Sequence, residues 1–254
     1  MNYAPKGSLR QNLLAISKMD WKDKLNLLQC VATDLQIIHS QDLIHRDLHR
    51  GNILQNDLKS AYIADLGLSI SANITSKSKS DGIFGILPYV APEVLNTQPY
   101  TKASDIYSFG IIMWEILYGK TISYNQKLDM SKLGLLILPA VNKEAPQCYV
   151  NLMRKCWDKN SEKRSSAKDL CEIFEKWQND ESVLLELNES KLLLENIEDS
   201  YYVNMFNGGS KFINTREITE KLSEMALAAI DLNFLMFLMT FKKSFTYAVF
   251  FKYC

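Results

Sequence analysis

One stretch limits the possible folds more than any other. Asp105 to Tyr118 is apolar almost all round, with Ile106, Phe109, Ile111, Ile112, Met113, Trp114, Ile116 and Leu117 leaving no polar face. A helix of that kind lies inside a core with other elements packed on every side, so this chain must wrap its remaining elements around it. The material is there. The chain has 254 residues and 47% hydrophobic content, enough for one ordinary domain with an appendage and too much for wholesale disorder. Lys+Arg and Asp+Glu balance at 29 each, so a dedicated nucleic-acid binder is excluded as a class. Ten glycines and six prolines rule out collagen-like or linker-dominated readings.

The elements around that helix follow from periodicity. Ser8 precedes Leu9, Leu13, Leu14 and Ile16, a short amphipathic helix with an N-cap. Asp20 caps a longer helix, with Trp21, Leu25, Leu28, Ala32, Leu35 and Ile38 on one face. Ile44, Asn52 to Gln55 and Ala61 to Ala64 read as brief strands and loops. Asn73 to Asp81 is a Ser/Thr/Lys run, read as a mobile loop. Two more amphipathic helices are predicted near Gln147 to Trp157 and Ser166 to Trp177. Beyond Gln178 the composition changes. Glu181 to Ser200 is acidic and Leu-rich, Asn207-Gly208-Gly209 breaks it, and Asn214 to Asp231 again looks helical.

The five cysteines (30, 148, 156, 171 and 254) are odd in number and none has C-x-x-C spacing. They fit buried small hydrophobes in a reducing compartment, not a disulfide framework. Met1 to Arg10 lacks the apolar core of a signal peptide. Phe234 to Phe241 and Phe245 to Phe251 are split by Lys242-Lys243, and each is shorter than the roughly 18–20 residues of a spanning helix. The expectation is a cytoplasmic protein without a membrane-spanning anchor. The Phe-rich end suits an interfacial anchor or translated non-coding sequence.

The chemistry is concentrated in His45-Arg46-Asp47-Leu48-His49-Arg50-Gly51-Asn52-Ile53-Leu54, followed by Asp65-Leu66-Gly67. Asp47, Asn52 and Asp65 are oxygen-bearing side chains on loops between short strands. Hard oxygen ligands on tight loops suit Mg²⁺ and phosphate chemistry. A carboxylate kept off the metal could accept a hydroxyl proton. Further on come Gly85-Ile86-Leu87-Pro88-Tyr89-Val90-Ala91-Pro92-Glu93 and Ser104-Asp105-Ile106-Tyr107-Ser108-Phe109-Gly110.

These motifs, in this order, resemble the eukaryotic protein kinase family: an H-R-D-x-x-x-x-N loop, a D-x-G element and A-P-E. Lys155-Cys156-Trp157 followed by Arg164 resembles its tyrosine-kinase-like and tyrosine kinase branches. The resemblance implies ATP and Mg²⁺ as cofactors and a protein substrate or partner kinase as partner. It makes Asp47 the catalytic base and Asn52 and Asp65 the Mg²⁺ ligands. Arg46 would meet a phosphate on the activation loop, Asp65 to Glu93, for which the Ser/Thr residues at 69, 71, 75, 76, 78 and 80 are candidates. Glu93 would pair with Arg164, and Asp105 would anchor the catalytic-loop backbone. Met1 to Leu9 looks like the kinase hinge, so Asn2 and Ala4 would offer backbone groups to adenine, with Leu54 beneath the ring.

The implied fold class is α+β, a kinase-like C-terminal lobe that is mainly helical, with a helical or disordered tail. Residues 1–178 would be hinge and C-terminal lobe, 179–230 an acidic Leu-rich tail, and 231–254 a hydrophobic end. The Leu run at 184–194 reads as a docking helix, since it lacks sustained heptads. No G-x-G-x-x-G occurs among the glycines, and no V-A-I-K lysine precedes the hinge. Two expectations follow. In one, a longer gene product carries the upper lobe and the reaction is ATP γ-phosphate transfer to protein hydroxyls. In the other, the chain is a silent docking or regulatory module.

Smaller departures from the family pattern are Leu66 for the usual Phe, His49 for a lysine frequent in serine/threonine kinases, and Ser165 for a Pro. His39, His45 and His49 cluster, but a zinc reading lacks a suitably spaced Cys as fourth ligand.

Overall fold

The computed structural model describes residues 4–72, 83–122, 139, 141 and 145–189, all within one compact unit. Seven helices are formed among them: α1 Leu9–Ser17, α2 Trp21–Ser40, α3 Pro92–Leu95, α4 Lys102–Tyr118, α5 Gln147–Cys156, α6 Ala167–Asn179 and α7 Glu181–Glu189. Four short strands accompany them: β1 Leu43–Ile44, β2 Ile53–Gln55, β3 Ala61–Ile63 and β4 Ile70–Ser71.

Helix α4 is the axis, as its composition requires. Every residue from Ser104 to Tyr118 is buried, with α1, α2 and α5 against it. It starts three residues before the apolar run does. Thr101 is the N-cap, and its N–H donates to the Ser104 hydroxyl at 3.1 Å. Polar Lys102 supplies the first turn, which an apolar-periodicity reading does not reach. Gly119 closes the helix at φ +64, a conformation that a Cβ disfavours.

The other helices begin where capping residues allow. Asp20 accepts the Asp23 N–H at 2.9 Å at the head of α2. Ser166 and Asp169 cap α6 reciprocally, the Ser166 N–H donating to Asp169 at 2.8 Å and the Asp169 N–H to Ser166 Oγ at 3.1 Å. The apolar face of α2, including Leu25, Leu28, Ala32 and Leu35, is fully buried and packs against α6 and β3. Trp21 meets Tyr149 of α5 edge-on, ring centroids 5.0 Å apart. Helix α7 packs back on α6 and α2, burying Leu187 while Leu185 stays exposed.

The strands form two small antiparallel pairs. β2 and β3 align Ile53 with Ile63, Leu54 with Tyr62 and Gln55 with Ala61. β1 and β4 align Leu43 with Ser71 and Ile44 with Ile70. The β1–β2 connection, residues 45–52, and the segment between β3 and β4 are thereby brought side by side.

The described thiols are unpaired, with Cys156 and Cys171 buried and Cys30 and Cys148 partly exposed. Burial pushes the Cys156 thiol up to about 12, which makes it inert. Among the described residues no helix is long and apolar enough to cross a membrane. Asn2, the Asn73–Asp81 run, the predicted helix at 214–231 and the Phe-rich end lie outside the described residues, as does all of the chain beyond α7.

Candidate active site

The 45–52 loop is fastened to the core helix at its first two residues. Asp105, buried on α4, accepts the His45 N–H at 2.9 Å on Oδ2 and the Arg46 N–H at 3.0 Å on Oδ1. Oδ2 also meets Nε2 of His39, at 2.9 Å. These bonds hold Arg46 at φ +68, a left-handed backbone that costs a non-glycine residue energy unless its surroundings impose it.

Asp47 follows, with only 4% of its surface exposed. Its N–H donates to Nδ1 of His45 at 3.3 Å. The Asn52 amide group donates from Nδ2 to the Asp47 carbonyl at 2.9 Å and to Asp47 Oδ2 at 3.2 Å. The Asn52 carbonyl in turn accepts the Ala64 N–H at 2.8 Å, and His45 Nε2 meets the Ala64 carbonyl at 3.2 Å. The loop is thus stitched to the residue before Asp65.

Asp65 also has a left-handed backbone, φ +62. Its carboxylate is exposed and accepts the Gly67 N–H at 3.2 Å, starting a 3-10 turn over Leu66–Leu68. Leu66 is half exposed. Two hard oxygens, the Asn52 amide oxygen and the Asp65 carboxylate, are the donor type that Mg²⁺ takes. Among the described residues no three His, Cys, Asp or Glu side chains form a metal-holding group. The three histidines serve separate contacts, with Asp105, Ala64 and Gly51. Leu54 is half buried on β2, and Ala4 is half buried, with its carbonyl closing a turn onto the Gly7 N–H at 3.0 Å.

The segment arriving from Ile83 passes close to the carboxylate. At Gly85, φ +108, an added Cβ would lie 3.4 Å from the Arg46 carbonyl and 3.6 Å from Asp47 Oδ1. Arg46 donates from Nε to the Leu68 carbonyl at 2.5 Å, and its guanidinium lies over the Phe84 and Tyr100 rings. Burial pushes the Tyr100 hydroxyl up to about 12. That hydroxyl donates to the Phe84 carbonyl at 2.6 Å.

One arrangement was not visible in sequence. Arg50 donates from Nη1 to both Tyr89 Oη, at 2.5 Å, and Glu115 Oε1, at 2.7 Å. Tyr89 donates to Glu115 Oε2 at 2.7 Å. Burial pushes Glu115 up from its ordinary range, against the pull of the Arg50 charge. The three side chains join the 45–52 loop, the segment from Ile83 to Tyr89, and α4. Glu115, a carboxylate inside the apolar run of α4, was the available signal, because a buried charge requires a partner. Lower down, Glu93 and Arg164 form an ion pair at 2.6 Å, and Arg164 is buried among aromatic and backbone groups.

A family model described as protein tyrosine and serine/threonine kinase matches residues 1–174. A protein of Acanthamoeba polyphaga mimivirus, named as a serine/threonine-protein kinase/receptor, is 31% identical over 71% of this chain and 11% of its own length. A Dictyostelium discoideum protein named as a serine/threonine-protein kinase is 36% identical over 64% of this chain and 16% of its own. The Arabidopsis thaliana serine/threonine/tyrosine-protein kinase HT1 is 30% identical over 69% and 46% respectively. This chain therefore spans between about a tenth and a half of the relatives it matches. The matched span, residues 1–174, holds the Asp105-anchored loop, the Asp65 turn and the Glu93–Arg164 pair, and the chain belongs to the protein tyrosine and serine/threonine kinase family.

Proposed function

We propose that this chain supplies the catalytic half of a protein kinase that moves the γ-phosphate of ATP to a hydroxyl of a protein. In this reading residues 1–178 are the hinge and C-terminal lobe. The observation that carries it is the orientation of Asp47: a buried carboxylate whose Oδ2 is engaged by Asn52 within a loop pinned by Asp105. Asp47 takes the proton of the acceptor hydroxyl as its oxygen bonds to phosphorus and the bond to ADP breaks. Asn52 and Asp65 would hold Mg²⁺ through the amide oxygen and the carboxylate. Bound there, the ion would supply charge neutralisation on the phosphates. Arg46 would meet a phosphate carried by the Asp65–Glu93 segment, and Ala4, Asn2 and Leu54 would border the adenine.

The experiment is phosphate transfer from radiolabelled ATP, with Mg²⁺, to a mixed protein substrate by the full chain and by Asp47→Asn and Asp65→Asn. Loss of transfer in both variants, with their melting temperatures kept, supports the reading. Transfer that survives Asp47→Asn overturns the role of Asp47. A wild-type chain that binds partner proteins but transfers nothing favours the docking module instead.

A further inference from the structure

His49 lies two residues beyond Asp47 and is 5% exposed. Its ring makes two contacts within its own loop. The Gly51 N–H donates to Nδ1 at 2.8 Å. A backbone N–H donates only to a nitrogen with a lone pair, so Nδ1 is bare and Nε2 carries the ring proton. Nε2 lies 3.6 Å from Oδ1 of Asp47. The other carboxylate oxygen already accepts from Asn52 at 3.2 Å. The Asp47 carboxylate is therefore set between two N–H groups of its own loop, one for each oxygen.

Gly51 has a matching reason to be glycine. A Cβ there would fall 2.6 Å from Cε1 and 2.8 Å from Nδ1 of His49. Those distances are shorter than real contacts, so the ring occupies the volume that a side chain at 51 would need. Gly51 is not among the positive-φ glycines. Its requirement comes from the ring, not from the backbone. The Tyr89 ring, 5.9 Å away between centroids, lies against the same imidazole.

We propose that His49 is a positioning residue for Asp47. The Gly51 N–H fixes the ring's tautomer, and Nε2–H holds Oδ1 so that the carboxylate keeps one orientation toward the acceptor hydroxyl. The proposal rests on the reading of Asp47 as base. At 3.6 Å the contact is longer than a hydrogen bond, and contacts of this kind in unliganded enzymes tighten when substrate binds. The nitrogen and the carboxylate are close enough for a small ring rotation to close the gap. The imidazole orients the carboxylate without placing a fixed positive charge beside it, as a lysine would.

The test has two arms, both on the full chain. In the first, nitrogen-15 histidine spectra of the chain without nucleotide should show His49 as the Nε2–H tautomer. Its signal should move in Asp47→Asn. An Nδ1–H tautomer, or a signal indifferent to that substitution, overturns the proposal without any appeal to activity.

In the second arm, steady-state phosphate transfer is compared across variants whose melting temperatures confirm folding. His49→Ala should lower kcat about tenfold, within the roughly hundredfold cost of a misplaced reacting group, while KM for the protein substrate changes less than about twofold. His49→Gln, which can present an amide N–H toward Asp47, should restore most of that loss. His49→Asn, which keeps only an acceptor near Gly51, should not. Gly51→Ala should match His49→Ala, and the double variant should be no worse than either. If Gly51→Ala fails to fold, the Gln and Asn variants carry the test. A His49→Gln enzyme as slow as His49→Ala, or losses confined to KM, overturns the proposal alone. A wild-type chain with no transfer overturns both it and the reading of Asp47 as base.

Discussion

Arg164 and Glu93 meet through two parallel hydrogen bonds, Nη1 to Oε1 at 2.6 Å and Nη2 to Oε2 at 2.8 Å. The pair ties the head of α3 to the turn before α6. The Arg164 side chain is fully buried, and it donates further to the carbonyls of Ala103 and Asp158 at 2.9 Å each. Removing the arginine leaves a mostly buried carboxylate without its fork. Arg164→Ala should cost about 3–5 kcal/mol. At about 2–4 °C per kcal/mol for a chain of this size, the melting temperature should fall by roughly 10 °C. Arg164→Lys should fall in between, since an ammonium cannot reproduce the planar fork. A calorimetric scan of the three proteins decides it, and an unchanged melting temperature in Arg164→Ala would refute the pair as a fastening.

The Arg50–Tyr89–Glu115 group should behave as one unit. Among the described residues, Arg50→Met leaves the buried Glu115 with Tyr89 and the Ile122 N–H as its donors. That change should cost about 3 kcal/mol or more. Adding Glu115→Gln to Arg50→Met should return at least about 1 kcal/mol, because the uncompensated charge is gone. Tyr89→Phe should cost about 1–2 kcal/mol through the lost hydroxyl. Urea midpoints of the single and double variants give the coupling, and strict additivity would show that the three side chains act separately.

This network shows where the sequence was legible and where it was not. Helix α4 could be read because its apolar run has no polar face to mistake, and α2 because Leu25, Leu28, Ala32 and Leu35 keep one period. Asp47, Asn52 and Asp65 stand out because they occur in fixed order with their flanking residues. The β1–β4 pair could not, since two residues on each strand carry no periodicity and their pairing is set by the loops between them. The roles of Arg50 and His49 depend on which side chain faces which across the fold. Their neighbours in sequence, Gly51 and Leu48, say nothing of Glu115 or of the tautomer on the imidazole.

Gly110 sits in the middle of α4, where alanine would ordinarily stabilise a helix by about 1 kcal/mol. Here α5 is too close. A Cβ at 110 would lie 2.8 Å from Cβ of Cys156 and 3.3 Å from the Met153 carbonyl. Both neighbours belong to a helix backbone or its first side-chain atom, so neither can rotate away. Overpacking of this kind costs about 1–3 kcal/mol. Gly110→Ala should therefore lower the urea midpoint on balance. A raised midpoint would mean that α5 can step back from α4.

Lys24 gives a pH dependence with a definite sign. It lies on the buried side of α2, 2% exposed. Burial lowers its ammonium from the ordinary 10.5 to about 8, against the pull of Asp20. The Trp21 ring, 4.6 Å from Nζ, also favours the charge. Between pH 8 and 10.5 the unfolded chain holds the proton more tightly than the folded one. Stability contributed by this group therefore rises as pH increases through that window, and the cost of its buried charge is fully present below about 8. Lys24→Met keeps the stem's volume and removes the charge. It should raise the melting temperature at pH 7, and the gain over wild type should shrink as the pH approaches 10. The check is a pair of melting curves at several pH values. A gap between the two proteins that is constant from pH 7 to 10, or that widens, would show that the ammonium reaches water and carries no burial cost.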